Sequence, residues 1–118
     1  MKILLDTNFL IATVNYKIDM FSELAGHELF LSAPVVSELT MLSKGTGKTA
    51  SAARISMKIA KSKGLKTLNA KGTADAALLS LSLSGYAVAT QDRELRERIR
   101  KAGGKTMMIR QKKYIEVE

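Results

Sequence analysis

The chain has 118 residues, 46% of them hydrophobic and 25% charged, with a net charge of +8 and a single histidine. Its lack of cysteine excludes a disulfide framework, a thiolate metal site and a cysteine nucleophile, and one histidine argues against a Ser/His/Asp triad or a histidine-built zinc site. No apolar run approaches the roughly 18 residues of a membrane span and no signal-peptide pattern is present, so a single cytoplasmic domain over residues 1–118 is expected.

Taken in chain order, Ile3, Leu4 and Leu5 form a short apolar run of the kind buried on both faces inside a parallel sheet. Asp6 follows at once and is a natural N-cap for a helix from Thr7 to about Val14. Phe21, Leu24 and Ala25 keep helical spacing, "ELFLS" at 28–32 reads as a strand, and Pro34 falls in the first turn of a helix to about Leu42 with Ser32 as its cap. A helix over 48–62 carries the stripe Ala52, Ile55 and Ile59, and a weak strand follows at 66–69. The run "LLSLSLSG" at 78–85 alternates like a strand. Ala74, Ala77, Leu78 and Leu81 nevertheless fit a helix, and a parallel sheet needs a crossover before the strand "YAVAT" at 86–90. The stretch 92–102 is helical, with Glu94–Arg98 and Glu97–Lys101 placed as ion pairs one turn apart and Gly103 as its stop. "KTMMIR" at 105–110 is the last strand. The alternation predicts an α/β fold with a mostly parallel sheet of four or five strands and helices on both faces.

Charge is unevenly spread. Residues 1–38 carry two basic and five acidic residues, residues 39–74 carry eight basic residues and no acid, and residues 93–113 carry nine basic residues against Glu94 and Glu97. Basic blocks of this kind suit a polyanion, nucleic acid first, although lysines also simply solvate helix faces. Lys44, Lys48, Arg93 and Arg96 are the expected RNA contacts. "GTGKT" at 45–49 imitates a phosphate-binding loop, but the first glycine of that pattern is replaced by Leu42 and no buried strand precedes it, so a basic turn between helices is the better reading.

Four acids fall at one edge of the expected sheet: Asp6 after the first strand, Glu38 one turn into the helix after the second, Asp75 in the first turn of the helix before "YAVAT", and Asp92 two residues past Thr90. Open α/β sheets place their sites at that edge. Glu38 and Asp75 stand among apolar neighbours in sequence, where an unpaired charge is costly. The remaining acids sit on polar helix faces or near the C-terminus.

In order, "LLDTNFL", the "SELT" glutamate, "ADAALL" and "ATQDREL" resemble the PIN-domain nucleases, and the likeness extends over nearly the whole chain. It is nearest to the short stand-alone archaeal branch akin to ribosomal-RNA-processing PIN proteins, which the C-terminal "DRELRERIRKAGGKTMMIRQKKYI" also resembles, with the VapC toxins a wider relation. The resemblance implies a Rossmann-like sheet, a divalent-metal site and endoribonuclease activity. Carried over by position, Asp6, Glu38, Asp75 and Asp92 are the metal ligands or catalytic acids, with Asn8 and Thr90 as polar support. Gln91 occupies a place where such proteins often have Asn or another small polar residue, a departure expected to matter little.

Elementary electrostatics agrees with that implication. Two carboxylates about 4 Å apart repel by roughly 4 kcal/mol at an effective dielectric of 20, so a cluster of four calls for a cation. Oxygen ligands without His or Cys favour Mg²⁺ or Mn²⁺ over zinc. The expected activity is a metal-dependent endoribonuclease in RNA processing, with a ribosome-assembly partner, or as a toxin with an antitoxin. The likeness also implies a homodimer. The rival is a catalytically silent RNA-binding or scaffold module, against which the retention of all four acids argues.

Overall fold

The computed structural model describes residues 1–118. Six strands, β1 (Lys2–Leu5), β2 (Glu28–Ser32), β3 (Lys66–Leu68), β4 (Ala87–Ala89), β5 (Thr106–Arg110) and β6 (Tyr114–Val117), form one sheet in the order β3-β2-β1-β4-β5-β6. The first five are parallel and β6 runs antiparallel to β5. The expectation of four or five strands thus falls one short. β6 is a half-exposed edge strand, and it follows a tight turn in which Gln111 and Lys112 both adopt φ near +55° without a glycine or asparagine to announce it.

Six helices connect the strands: α1 (Thr7–Asn15), α2 (Met20–Glu23), α3 (Ala33–Ser43), α4 (Lys48–Ser62), α5 (Ala74–Ser82) and α6 (Arg93–Lys101). Side chains alternate across β1, so Ile3 and Leu5 point to one face and Leu4 to the other. Ile3 and Leu5 join Phe9, Leu10, Val35, Leu39 and Ala53 in the larger core beneath α1 to α4. Leu4 joins Phe30, Leu78, Val88, Leu95 and Ile99 in the smaller one beneath α5 and α6. All three β1 side chains are fully buried. Burying each is worth about 1.5–3 kcal/mol, which is why the run tolerates no polar residue until Asp6.

The strand order places the reversal of winding between β1 and β4. β2 and β3 are added on one side of β1, and the chain then crosses back through α5 to start the other half at β4. At such a switch point the two C-terminal strand ends diverge into their following helices and leave a crevice. Asp6 and Thr90 stand at those ends.

Four local expectations are corrected. Helix α4 buries Ala50, Ala52, Ala53, Ser56 and Ala60, while Ile55 and Ile59 are 42% and 36% exposed. Small side chains line the face of α4 packed against α3 and α1, so close helix approach displaces the large residues outward. In α6 neither Glu94–Arg98 nor Glu97–Lys101 forms; Arg93 pairs with Glu97 instead, and Glu118 takes Arg96 and Arg100. Arg96 is 7% exposed on the Leu95–Ile99 face of α6, which removes it from the expected RNA contacts. Glu38 and Asp75 are exposed, because Val35 and Leu39 in α3 and Ala77 and Leu78 in α5 turn inward and the acids turn out.

The "GTGKT" stretch is the turn between α3 and α4 followed by the first two residues of α4, Lys48 and Thr49. Gly47, at φ +93°, supplies a backbone conformation that side-chain-bearing residues rarely adopt. Arg54 closes the turn by donating to the Ser43 carbonyl at 2.7 Å, a cation at the C-terminal end of α3.

Candidate functional site

Asp6 is the N-cap of α1 and is also more than a cap. Its Oδ1 accepts the Thr7 N–H at 2.8 Å, and its Oδ2 accepts the Thr90 hydroxyl at 2.6 Å across the switch point. Only 4% of the residue is exposed. Burial holds its carboxyl above the usual carboxylate range. The bonds from Thr90 and Thr7 oppose that rise, and the charges of Asp75 and Glu38 add to it.

The opposite wall is built by α3 and α5. Ser32 caps α3, with its Oγ 3.4 Å from the Val35 N–H, and this sets Glu38 on the second turn facing α1. There Glu38 Oε1 accepts the Thr7 hydroxyl at 2.7 Å, so Thr7 ties the Glu38 carboxylate to Asp6 through its own N–H and O–H. Thr73 caps α5 by accepting the Ala76 N–H at 3.1 Å, and Asp75 follows in the first turn. Between these two helix starts lies an open cleft of about 520 Å³ lined by Pro34, Ser37, Glu38, Ala70, Thr73 and Ala74. Small side chains make most of its walls, and Glu38 is the one acid among them.

On the β4 side, Thr90 is fully buried and its hydroxyl organises its neighbours. It gives its proton to Asp6 and accepts the Asp92 N–H at 3.1 Å. Asn8 Oδ1 lies 3.2 Å from the same hydroxyl and accepts the Gln91 N–H at 2.9 Å. Asp92 caps α6 by accepting the Leu95 N–H at 3.1 Å. Asp6 thus lies within electrostatic reach of Glu38 and Asp75, whereas the Asp92 carboxylate is engaged by its own helix.

No three of the carboxylates converge into a cage ready for a metal ion. Glu38 instead accepts from Thr7, Asp92 accepts from Leu95 and Asp75 faces solvent. The donor set still suits a hard cation. Mg²⁺ is commonly held by one or two carboxylates with water filling its other positions, and an all-oxygen site containing a desolvated carboxylate meets that requirement.

Sequence reasoning missed two contributors. The Gln91 side chain bonds both backbone groups of Ile109, at 2.7 Å to the N–H and 3.3 Å to the carbonyl. Arg96 Nη1 donates to the Thr90 carbonyl at 3.2 Å. For Gln91 the signal was its departure from the family's usual residue; for Arg96 it was a cation at helical spacing between Leu95 and Ile99. Of the expected RNA contacts, Lys44, Lys48 and Arg93 are exposed. No helix is long and apolar enough to cross a membrane.

Comparison with known proteins agrees with the fold. A family model described as a PIN like domain matches residues 3–112. Ribonuclease VapC4 of Methanocaldococcus jannaschii is 32% identical over 125 residues, covering 98% of this chain and 95% of that protein. The structure of the PIN domain endonuclease Utp24 superposes with a TM-score of 0.82 at 32% identity, covering 99% of this chain and 90% of that one. A domain of a functionally unknown Methanocaldococcus jannaschii protein follows at a TM-score of 0.66 and 15% identity over 92% of this chain and 91% of that one, a likeness of fold alone. The chain belongs to the PIN-domain family.

Proposed function

We propose that this PIN-domain protein is a divalent-metal-dependent endoribonuclease that hydrolyses RNA phosphodiesters. One observation carries the reading: a buried carboxylate, Asp6, sits at the switch point with two further acids close enough to raise its pKa. Such an arrangement costs folding free energy and is explained by a cation that offsets it. The relative named ribonuclease supports RNA as the substrate, and the structure titled PIN domain endonuclease supports internal cleavage.

Asp6 and its exposed neighbour Asp75 would hold Mg²⁺ or Mn²⁺ directly and Glu38 would reach the ion only through water, with Asp92 joining once its carboxylate leaves the α6 cap. The metal, when bound, lowers the pKa of water and stabilises charge on the phosphoryl oxygens. The chain's own residues do the rest. Thr90 and the Thr7 N–H fix both Asp6 oxygens, so that carboxylate enters the reaction already oriented. Glu38, hydrogen-bonded to Thr7 and lining the cleft, would take a proton from the attacking water. Lys44, Lys48 and Arg93 supply cations for RNA phosphates.

RNA processing and toxin action share this chemistry. A gene for a small antitoxin beside this one would decide for the toxin. The activity is tested by incubating defined RNAs with EDTA-treated protein and then adding Mn²⁺ or Mg²⁺. Cleavage restored by either ion is expected. Full cleavage in excess EDTA would contradict the metal mechanism, and no cleavage under any condition would favour a silent RNA-binding module.

A further inference from the structure

The segment carrying Thr90 and Asp92 is held in place by two residues to which the proposed chemistry assigns no role. β4 ends at Ala89, while its neighbour β5 continues to Arg110. The Thr90 N–H still reaches the Met107 carbonyl at 3.0 Å, but one rung further on the backbone has turned away toward α6. Ile109 is left facing that gap. The Gln91 side chain fills it, its Oε1 accepting the Ile109 N–H and its Nε2 donating to the Ile109 carbonyl. A primary carboxamide offers the donor and acceptor of a peptide group, so here it stands in for a strand residue. Asparagine, one methylene shorter, would not span the same gap.

Arg96 holds the segment from α6. Its Nη1 donates to the Thr90 carbonyl, and its Nε pairs by charge with Glu118 Oε1 at 3.1 Å without forming a hydrogen bond. The Glu118 carboxylate also accepts the Thr106 hydroxyl at 3.2 Å and pairs with Arg100 at 3.1 Å. A buried guanidinium is tolerated only with such partners. Every polar atom of Thr90 is consequently engaged: its N–H by Met107, its carbonyl by Arg96, and its hydroxyl by Asp6 and the Asp92 N–H.

We infer that Gln91 and Arg96 are positioning residues for the Asp6 carboxylate, fixing the Thr90 backbone and through it the hydroxyl that orients Asp6. Neither touches substrate. The inference deepens the proposed ribonuclease reading and rests on it for the role of Asp6.

Gln91→Met keeps the side chain's length and removes both bonds to Ile109; Arg96→Lys keeps a cation opposite Glu118 but cannot span Glu118 and Thr90 together. Each variant is compared with the wild-type protein by amide exchange at Ile109 and Asp92, by Mn²⁺ titration calorimetry, and by kcat and KM on a single-stranded RNA of mixed sequence. In Gln91→Met, exchange at both amides should accelerate, and Mn²⁺ affinity and kcat should fall by about 10- to 100-fold with KM unchanged, the usual effect of removing a ligand's hydrogen-bonded support. Arg96→Lys should accelerate exchange at Asp92 and give the same kcat pattern, so the inference stays testable if one variant does not fold. A lowered melting temperature with wild-type Mn²⁺ affinity, kcat and Asp92 exchange would reduce both residues to structural supports and overturn the inference. If the wild-type protein neither binds Mn²⁺ nor cleaves RNA, the ribonuclease reading fails, and the Asp92 exchange rates alone decide whether the brace exists.

Discussion

The two walls of the crevice differ in kind. On the β1–β4 wall, Asp6 and Thr90 are buried and each oxygen they present has a partner. On the α3–α5 wall, Glu38 and Asp75 are exposed beside an open cleft, and Glu38 has one bond, to Thr7. A buried, doubly bonded carboxylate gains orientation at the cost of desolvation, whereas exposed acids remain free to move onto a cation or a water. The difference teaches that one wall is built to stay still and the other to respond. Substitutions on the two walls should therefore separate stability from activity.

The largest effect is expected on the rigid wall. Asp6→Asn should reduce cleavage by more than the roughly 10- to 100-fold that removing a ligand's supporting partner costs. It should not unfold the protein, because the Thr90 hydroxyl can turn its proton to Asn8 and accept from the new amide. It should also alter the pH dependence of the metal-free protein. The Asp6 pKa is raised in the folded state, so its contribution to stability is fully present below the unfolded value of 3.8 and is lost as pH rises through the folded value. Melts of the wild-type protein against Asp6→Asn across that range should show the wild type losing ground as pH rises, and saturating Mn²⁺ should restore it. A difference that does not vary with pH would mean the buried carboxylate carries no desolvation cost.

On the responsive wall, Glu38→Gln is expected to lower cleavage by about 10²–10⁴-fold, the span of a positioned general base. Folding stability should stay within about 0.5 kcal/mol of wild type, since the site is exposed and the amide oxygen still accepts from Thr7. A large loss of stability in this variant would erase the contrast between the walls.

Asp92 stands between the two. Asn caps a helix as well as Asp, so Asp92→Asn should leave the metal-free fold within about 0.5 kcal/mol of wild type, whereas Asp92→Ala should cost about 0.5–2 kcal/mol. If Asp92 also serves the metal, both variants should lose most of their cleavage. Normal cleavage by Asp92→Asn, with the full gain in melting temperature on adding Mn²⁺, would leave it as a cap alone.

The smallest effect lies outside the crevice. Replacing Lys44 and Lys48 together by Ala should weaken RNA binding and flatten its salt dependence by about 0.7 log units per log unit of salt for each RNA phosphate no longer neutralised. An unchanged slope would mark them as solvating charges.

The rigid wall was legible in the sequence and the responsive one only in outline. Asp6 ends an apolar run and Thr90 ends another, so strand period alone puts both at the C-terminal edge. That Glu38 and Asp75 face outward depends on helix phase, which apolar neighbours on both sides obscured. Arg96 looked like surface charge because its partner, Glu118, arrives only through the edge strand β6. Gln91 was discounted because a side chain acting as a ladder rung requires knowing where β4 stops. Ile55 and Ile59 followed a proper helical stripe, but a helix's closest contacts can select small residues over large ones.

The central claim is that Asp6 is buried in order to hold a divalent ion, and titration of Mn²⁺ into the wild-type protein and Asp6→Asn, followed by RNA cleavage on the same samples, tests it most directly. The wild type should bind Mn²⁺ more tightly as pH rises, releasing a proton from Asp6 where that group is still protonated, and should cleave RNA. Asp6→Asn should lose both properties while remaining folded. Equal Mn²⁺ affinity and equal cleavage in the two proteins would contradict the account.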